Sequence, residues 1–128
     1  MDFNTAIHTG LRKAFNFSDR APRSEFWYWY LFTLLVSFMT TFLDWLLGTG
    51  GVLTSLAAIV LFVPNISVTV RRLHDIDKSG WWILILFIPL IGWLFLFIWE
   101  CTKGTLGSNR YGPDPLMAES LQSQVIPS

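Results

Sequence analysis

The stretch FWYWYLFTLLVSFMTTFLDWLLGTGGVLTSLAAIVLFVPNISVTV, residues Phe26–Val70, decides the fold class of this chain. It contains two apolar runs, Phe26–Leu47 with 22 residues and Val52–Val70 with 19, separated by the short segment GTGG. An α-helix rises about 1.5 Å per residue, so each run is long enough to cross a hydrocarbon core of about 30 Å. The shortness of the GTGG connection predicts that the two helices are antiparallel neighbours.

A third apolar run, Trp81–Trp99, has 19 residues and no charge. The chain of 128 residues is 52% hydrophobic and only 14% charged, whereas soluble domains carry about 25% charged residues. Helices that are apolar all round belong in a membrane or in the core of a much larger protein. The sequence therefore predicts one integral membrane domain over residues 1–128, an all-α protein with three transmembrane helices at about 26–47, 52–70 and 81–99.

The residues before the first run predict a further helix. Phe3, Ile7, Leu11 and Phe15 recur every fourth residue, which is the spacing of one helix face. This pattern is typical of an N-terminal amphipathic helix that lies in the membrane interface with its apolar face toward the lipid. A helix packed against the bundle is the alternative.

Aromatic and basic residues predict the orientation in the membrane. All seven tryptophans lie in or beside the first and third runs, as in the aromatic belts of membrane interfaces. Seven lysines and arginines lie in the N-terminal arm and the second loop, two follow the third run, and none lies in GTGG. The positive-inside rule then puts the N-terminus in the cytoplasm and, with three spans, the C-terminus outside. If one of the three apolar runs is re-entrant, both termini would instead lie in the cytoplasm.

The densest polar signal is RRLHDIDKSGWW, between the second and third runs. Arginines beside a histidine are typical of a site for a phosphate headgroup or another anion. We predict, however, that Arg71 and Arg72 are paired as a structural anchor: both lie one helical turn from Asp75, and antiparallel spans bring Glu25 and Arg23 to the same depth. The candidate lipid- or partner-binding residues are Arg71, Arg72, His74, Asp75 and Asp77, with Arg20 and Arg23 from the entry into the first run. The ligand spacing of common transition-metal sites is absent, so we expect neither a metal nor a cofactor.

Two prolines interrupt the apolar runs. Pro64 is followed by Asn65 in the second run, and Pro89 precedes Gly92 in the third. Broken helices with a polar side chain at membrane depth mark substrate pathways in transporters, although kinks repaired by neighbouring helices are commoner. No catalytic motif is recognisable, and the net charge of zero argues against a nucleic-acid partner.

The segment GTLGSNRYGPDP, Gly104–Pro115, predicts a compact cap folded back on the bundle. In this hypothesis Asn109 bonds the loop backbone, and Arg110 reaches Asp114, Glu100 or a lipid phosphate. Residues 117–128 are interpreted as a loose tail. Asp44 and Glu100 are interpreted as solvated acids near the outer boundary of the membrane.

Four blocks together are highly specific. They are R-x-x-R-x-E-F-W from Arg20, P-x₆-RRLHD with SGWW from Pro64, IP-x-IGW from Ile88 and GT-x-G-x-NRYGPDP from Gly104. In these blocks, over roughly residues 12–115, the chain resembles the bacterial inner-membrane family called domain of unknown function 805. The resemblance implies a small polytopic protein of the bacterial inner (plasma) membrane and transfers no activity.

Three function hypotheses follow. The first is a non-enzymatic membrane component whose basic cytoplasmic layer contacts anionic lipid or a partner protein, which includes a homo-oligomer or another membrane protein. The second is a subunit of a small channel or transporter, with Asn65 and the proline breaks lining the path. The third is a membrane-interface enzyme that acts on a lipid headgroup through His74 and Asp75.

Overall fold

The computed structural model describes residues 2–125, and this part of the chain is all-α, as predicted. The helices are α1 Phe3–Arg12, α2 Arg23–Leu47, α3 Val52–Asp75, a 3₁₀ helix Gly80–Phe87, α4 Ile91–Cys101 and α5 Pro115–Val125. The predicted loose tail at 117–128 is thus helical as far as Val125, and residues 126–128 lie outside the described residues.

Helices α2 and α3 form an antiparallel pair, and both are long and apolar enough to cross a membrane. Their outward-facing apolar side chains are exposed: Phe38 and Ile59 are each 71% exposed, which suits contact with lipid rather than water.

Asp44, in the last turn of α2, is not the solvated acid that the sequence predicts. It is buried, and its carboxylate accepts hydrogen bonds from the backbone N–H groups of Leu53 and Thr54, each at 2.9 Å. Asp44 therefore caps the first turn of α3.

Helix α1 packs against the bundle through its small residues. Ala6, Thr9 and Gly10 are buried, and a Cβ added at Gly10 would collide with the indole ring of Trp29. Phe15, just beyond the helix, keeps 82% of its surface exposed. The structure thus has the packed arrangement, while part of the predicted apolar stripe still faces outward.

The third apolar run is not one helix. The structure divides it into the 3₁₀ helix Gly80–Phe87 and α4, joined by a sharp turn in which Leu90 has a φ of 66°. Pro89 at this turn has no backbone N–H to donate, and a Cβ at Gly92 would collide with the carbonyl oxygen of Ile85. The prediction of a continuous third helix over 81–99 is therefore corrected to two segments, which we call the hairpin.

The two ends of the hairpin lie together. The Trp82 and Trp99 rings meet edge to face with centroids 5.5 Å apart. The guanidinium of Arg23 donates to the carbonyl of Cys101 at 3.2 Å, and that of Arg72 donates to the carbonyl of Glu100 at 3.3 Å. Glu100 therefore lies where α2 begins and α3 ends, whereas the predicted three-span arrangement puts it at the opposite end of the bundle.

Candidate functional site

A buried ion cluster lies where α2 begins and α3 ends. Asp75 accepts from Arg20 Nε at 3.0 Å through one carboxylate oxygen and from Arg72 Nη1 at 2.8 Å through the other. All three side chains are 4% exposed or less. An arginine buried without a partner would be strongly destabilising, so this triad fixes residues 13–22, the connector between α1 and α2, against the end of α3.

A second buried pair lies beside the triad. Arg71 Nη1 donates to Glu25 Oε2 at 2.6 Å, with both side chains 2% exposed or less. The hydroxyl of Ser67, one turn before Arg71, lies 2.7 Å from the backbone carbonyl oxygen of Lys13 and 2.7 Å from that of Asn16, and its one proton is shared between these two acceptors. The sequence correctly predicts that Arg71 and Arg72 are paired, but only Arg72 pairs with Asp75.

The segment Gly104–Pro115, which we call the cap, is bound to the triad through its backbone. Arg20 donates to the carbonyls of Thr105 and Gly107, each at 2.7 Å. Asp114 accepts from the backbone N–H groups of Gly107 and Leu116, each at 3.0 Å. Burial raises the pKa of Asp114, but these hydrogen bonds outweigh burial and hold its pKa below the ordinary value.

The far side of the cap covers His74. The Tyr111 ring stacks on the imidazole with centroids 3.8 Å apart, and Asn109 Nδ2 donates to the carbonyl of His74 at 2.9 Å. The other predicted cap contact differs: Arg110 Nε lies 3.2 Å from the carboxylate of Asp77 rather than from that of Asp114 or Glu100. His74 is thereby held between the cap and the connector, where its Nδ1 lies 3.0 Å from the carbonyl of Asp19.

The sequence-predicted binding residues are therefore mostly internal. Of that set, Arg23 leaves its guanidinium exposed with no carboxylate partner among residues 2–125. Lys78 projects over the hairpin, with its ammonium 4.7 Å from the centroid of the Trp99 ring. Arg12 and Lys103 are exposed. We call Arg12, Lys78 and Lys103 the basic face.

A groove of about 370 Å³ lies between α2, α3 and the hairpin. Asn65 lines it and accepts a hydrogen bond from Trp29 Nε1 at 2.7 Å, and Glu100 lines it as well. Of the other predicted pathway residues, Pro64 is buried in α3, whereas Pro89 and Gly92 lie at the bend of the hairpin. Sequence reasoning predicted Asn65 as a pathway residue but did not predict that Glu100 lines the same groove.

Metal chemistry finds no support in the cluster. Within the described residues, no group of three or more His, Cys, Asp or Glu side chains could hold a metal ion. Asp75 is already shared by two arginines, and Asp77 is held by Arg110. What the arrangement can do is bind the connector, the end of α3 and the cap into one rigid layer.

Most of the chain is similar to a known protein family. Residues 14–113 match the family described as "Protein of unknown function (DUF805)". The chain belongs to the DUF805 family. Inner membrane protein YhaH of Escherichia coli (strain K12) is 42% identical to this DUF805 protein over 110 residues, which covers 82% of this chain and 91% of the relative. Inner membrane protein YhaI of the same strain is 42% identical over 106 residues, with 82% and 90% covered.

A more distant relative is the uncharacterized protein YiiR of Escherichia coli (strain K12), 28% identical over 134 residues, with 78% of this chain and 86% of the relative covered. No solved structure matches the DUF805 chain. The family and its inner-membrane relatives make this a bacterial inner-membrane protein of an uncharacterised family.

Proposed function

We propose that this DUF805 protein is a non-enzymatic inner-membrane component that binds anionic phospholipid headgroups through its basic face. The observation that supports this proposal is that some cations are paired with carboxylates and others are not. Arg20, Arg71 and Arg72 are buried on carboxylates, whereas Arg12, Lys78 and Lys103 have no carboxylate partner within 4.0 Å among residues 2–125. The first group supports the fold, which leaves the second group free for an external anion.

The proposed topology has two spanning helices, α2 and α3, and a re-entrant hairpin. The ends of the hairpin lie beside Arg23 and Arg72, which supports entry and exit on one side of the membrane. All nine lysines and arginines then lie on that side, against none in GTGG. Such an asymmetry favours a cytoplasmic location for this side and for both ends of the described chain.

The position of Lys78 supports headgroup contact. Its ammonium lies 4.7 Å from the centroid of Trp99 and 6.0 Å from that of Trp82, and indole rings prefer headgroup depth. A lysine at this depth is attracted to anionic lipid by about 1 kcal/mol at physiological ionic strength. Lys103 follows α4 on the same side and adds a second charge.

The experiment measures lipid selectivity in reconstituted vesicles. Spin-labelled phosphatidylglycerol and phosphatidylcholine, added to vesicles that contain the protein, report the fraction of each lipid held at the protein surface. We expect a preference for phosphatidylglycerol that weakens as salt is raised. The double variant Lys78→Gln with Lys103→Gln should lose several-fold of this preference, since each charge contributes about 1 kcal/mol.

The matched control is Lys13→Gln, because Lys13 is already paired with Asp19 at 3.2 Å. Lys13→Gln should keep most of the preference. Equal association of both lipids with the unaltered protein would overturn the proposal. A preference that the double variant retains in full would do the same and would favour a partner protein for the basic face.

A channel or transporter subunit is the second candidate, because Asn65, Thr33 and Thr69 place polar groups in the groove. Ion leakage from protein-containing vesicles that exceeds protein-free vesicles and is abolished by Asn65→Leu would favour it. The headgroup-enzyme hypothesis has no comparable support, since His74 and Asp75 are both buried.

A further inference from the structure

The groove between α2, α3 and the hairpin carries a charge. Its walls are mainly apolar and aromatic, and they include Tyr30 of α2, Leu86 of the 3₁₀ helix and Trp93 of α4. Its volume of about 370 Å³ falls at the lower end of the range of about 300–1,000 Å³ for small-molecule sites. Its one acidic lining residue within the described part of the chain is Glu100.

The depth of the groove follows from its neighbours. Its wall on α2 runs from Phe26, near the helix start, to Thr33, a rise of about 10 Å at 1.5 Å per residue. Glu100 lies at the level of the ion cluster, because Arg72 donates to its backbone carbonyl at 3.3 Å. The groove therefore extends from headgroup level into the adjacent half of the bilayer, where lipid chains are the surrounding solvent.

The Glu100 carboxylate lacks a partner. Within residues 2–125 it makes no hydrogen bond and no ion pair shorter than 4.0 Å, unlike the buried Glu25 and Asp75. An acid that is half-buried beside lipid is destabilising unless a cation or a donor reaches it. An apolar groove lined by one carboxylate is complementary to a ligand that has an apolar chain and a cationic headgroup.

A cation from the start of α2 contacts the residue that follows Glu100. Arg23 donates to the carbonyl of Cys101 at 3.2 Å through Nη1, and its exposed guanidinium keeps further N–H donors. Guanidinium groups bind phosphate with paired, charge-assisted hydrogen bonds. A carboxylate and a guanidinium at headgroup depth are complementary to a zwitterion that carries one phosphate and one ammonium.

We propose that the groove binds a phospholipid with a primary-ammonium headgroup, the phosphatidylethanolamine class. One acyl chain lies in the groove, the ammonium donates to Glu100, and the phosphate accepts from Arg23. Phosphatidylcholine has the same charges, but its quaternary ammonium has no N–H to donate. Phosphatidylglycerol has no cation at all. The site goes beyond the proposed function, because it selects a zwitterion whereas the basic face selects an anion.

Native mass spectrometry of the purified protein in detergent tests this site. The protein is titrated with phosphatidylethanolamine, phosphatidylcholine and phosphatidylglycerol of identical chains. We expect the first phosphatidylethanolamine to bind about tenfold more tightly than phosphatidylcholine, the effect of one charge-assisted hydrogen bond. Glu100→Gln should remove this difference, whereas Glu100→Asp should keep part of it. Leu86→Trp, which fills the groove, should weaken binding of that first lipid whatever its headgroup.

Glu119→Gln, in α5 and outside the groove lining, is the matched acid-to-amide control and should bind as the unaltered protein does. The inference is overturned if the unaltered protein does not discriminate the ethanolamine headgroup, a result that needs no variant to fold. It is also overturned if Glu100→Gln keeps the tenfold difference. Failure of the basic face is distinguishable, because Lys78→Gln with Lys103→Gln changes phosphatidylglycerol selectivity and leaves the ethanolamine preference in place.

Discussion

Trp82 and Trp99 stand at opposite ends of the third apolar run, yet their indole rings meet edge to face with centroids 5.5 Å apart. In one straight helix these side chains would be about 25 Å apart along the axis, given 1.5 Å per residue. The contact is therefore incompatible with a single spanning helix over Trp81–Trp99. It brings the end of α4 back to the place where the 3₁₀ helix begins.

The first prediction concerns topology. In a Cys101→Ser background, single cysteines at Ser18, Ser79 and Ser108 should all be protected from an impermeant thiol reagent in intact cells, while a cysteine at Thr49 should react. Ser108 decides between the two arrangements, because three spans would put it outside and a re-entrant hairpin puts it inside. Permeabilised cells, in which Ser108→Cys must react, are the control. Reaction of Ser108→Cys in intact cells would refute the hairpin topology.

The second prediction concerns the buried pair of Arg71 and Glu25. Glu25→Leu should lower the free energy of unfolding by about 3–5 kcal/mol, because it leaves the Arg71 guanidinium buried without a counter-charge. Adding Arg71→Met to Glu25→Leu should recover most of that loss, since an apolar pair of similar volume avoids burying any charge. Reversible unfolding in mixed micelles measures both.

The control for this pair is Asp77→Asn, which removes the acid from the exposed Arg110 pair, suits the positive φ of 61° at this position and should change the free energy of unfolding by about 0–1 kcal/mol. If Glu25→Leu proved as mild as Asp77→Asn, the Arg71 pair would not stabilise the fold. A double variant no more stable than Glu25→Leu alone would contradict the proposed cause of the loss.

The third prediction concerns the cap. Trypsin should cut slowly at Arg110, because cleavage needs local unfolding of a segment that Arg20 and Asn109 hold through backbone hydrogen bonds. Asn109→Ala leaves the His74 carbonyl without this donor, at a cost of about 1–3 kcal/mol, and should speed cleavage at least several-fold. Ser108→Ala is the neighbouring control and should leave the rate unchanged. Rapid cutting of the unaltered protein at Arg110 would show that the cap is not docked.

The fourth prediction concerns the bend of the hairpin. Gly92→Ala should destabilise the protein by about 1–3 kcal/mol, because the new methyl group would meet the carbonyl oxygen of Ile85. Ser37→Ala on the exposed face of α2 is the control and should stay within about 0.5 kcal/mol. Thermal unfolding in detergent, followed by tryptophan fluorescence, measures the difference. Equal stability of the two variants would mean that the turn has room for a side chain.

Much of the fold was predictable because its signals are local. Run length and composition predict the first two helices, and the i, i+4 pattern predicts α1. The hairpin was not predictable from such local signals, because a proline within an apolar run, here Pro89, is equally typical of a kinked helix whose freed backbone groups are satisfied by neighbouring helices. The signal that favoured the hairpin was electrostatic: Lys103 and Arg110 suit the cytoplasmic side and conflict with three spans.

Pairing within the site shows where sequence reasoning stops. Arg72 and Asp75 lie within one helical turn, so their ion pair is visible in the spacing. Glu25 and Arg71 are 46 positions apart, and Arg20 and Asp75 are 55 apart. Only the packing of α2 on α3 brings these residues together. The exposure of Glu100 also depends on the hairpin, so its place in a groove could not be inferred from its position after an apolar run.

Because Arg20 binds the cap, the ion cluster depends on the order in which the chain is synthesised. A chain is made from its N-terminus, so Arg20, α2 and α3 leave the ribosome long before the cap. Until then Arg20 has Asp75 but lacks the carbonyls of Thr105 and Gly107, and Arg72 lacks that of Glu100. The charged layer is completed only when the last segment arrives. A nascent chain cut short before the cap therefore leaves Arg20 and Arg72 with fewer hydrogen-bond partners than they have in the finished protein.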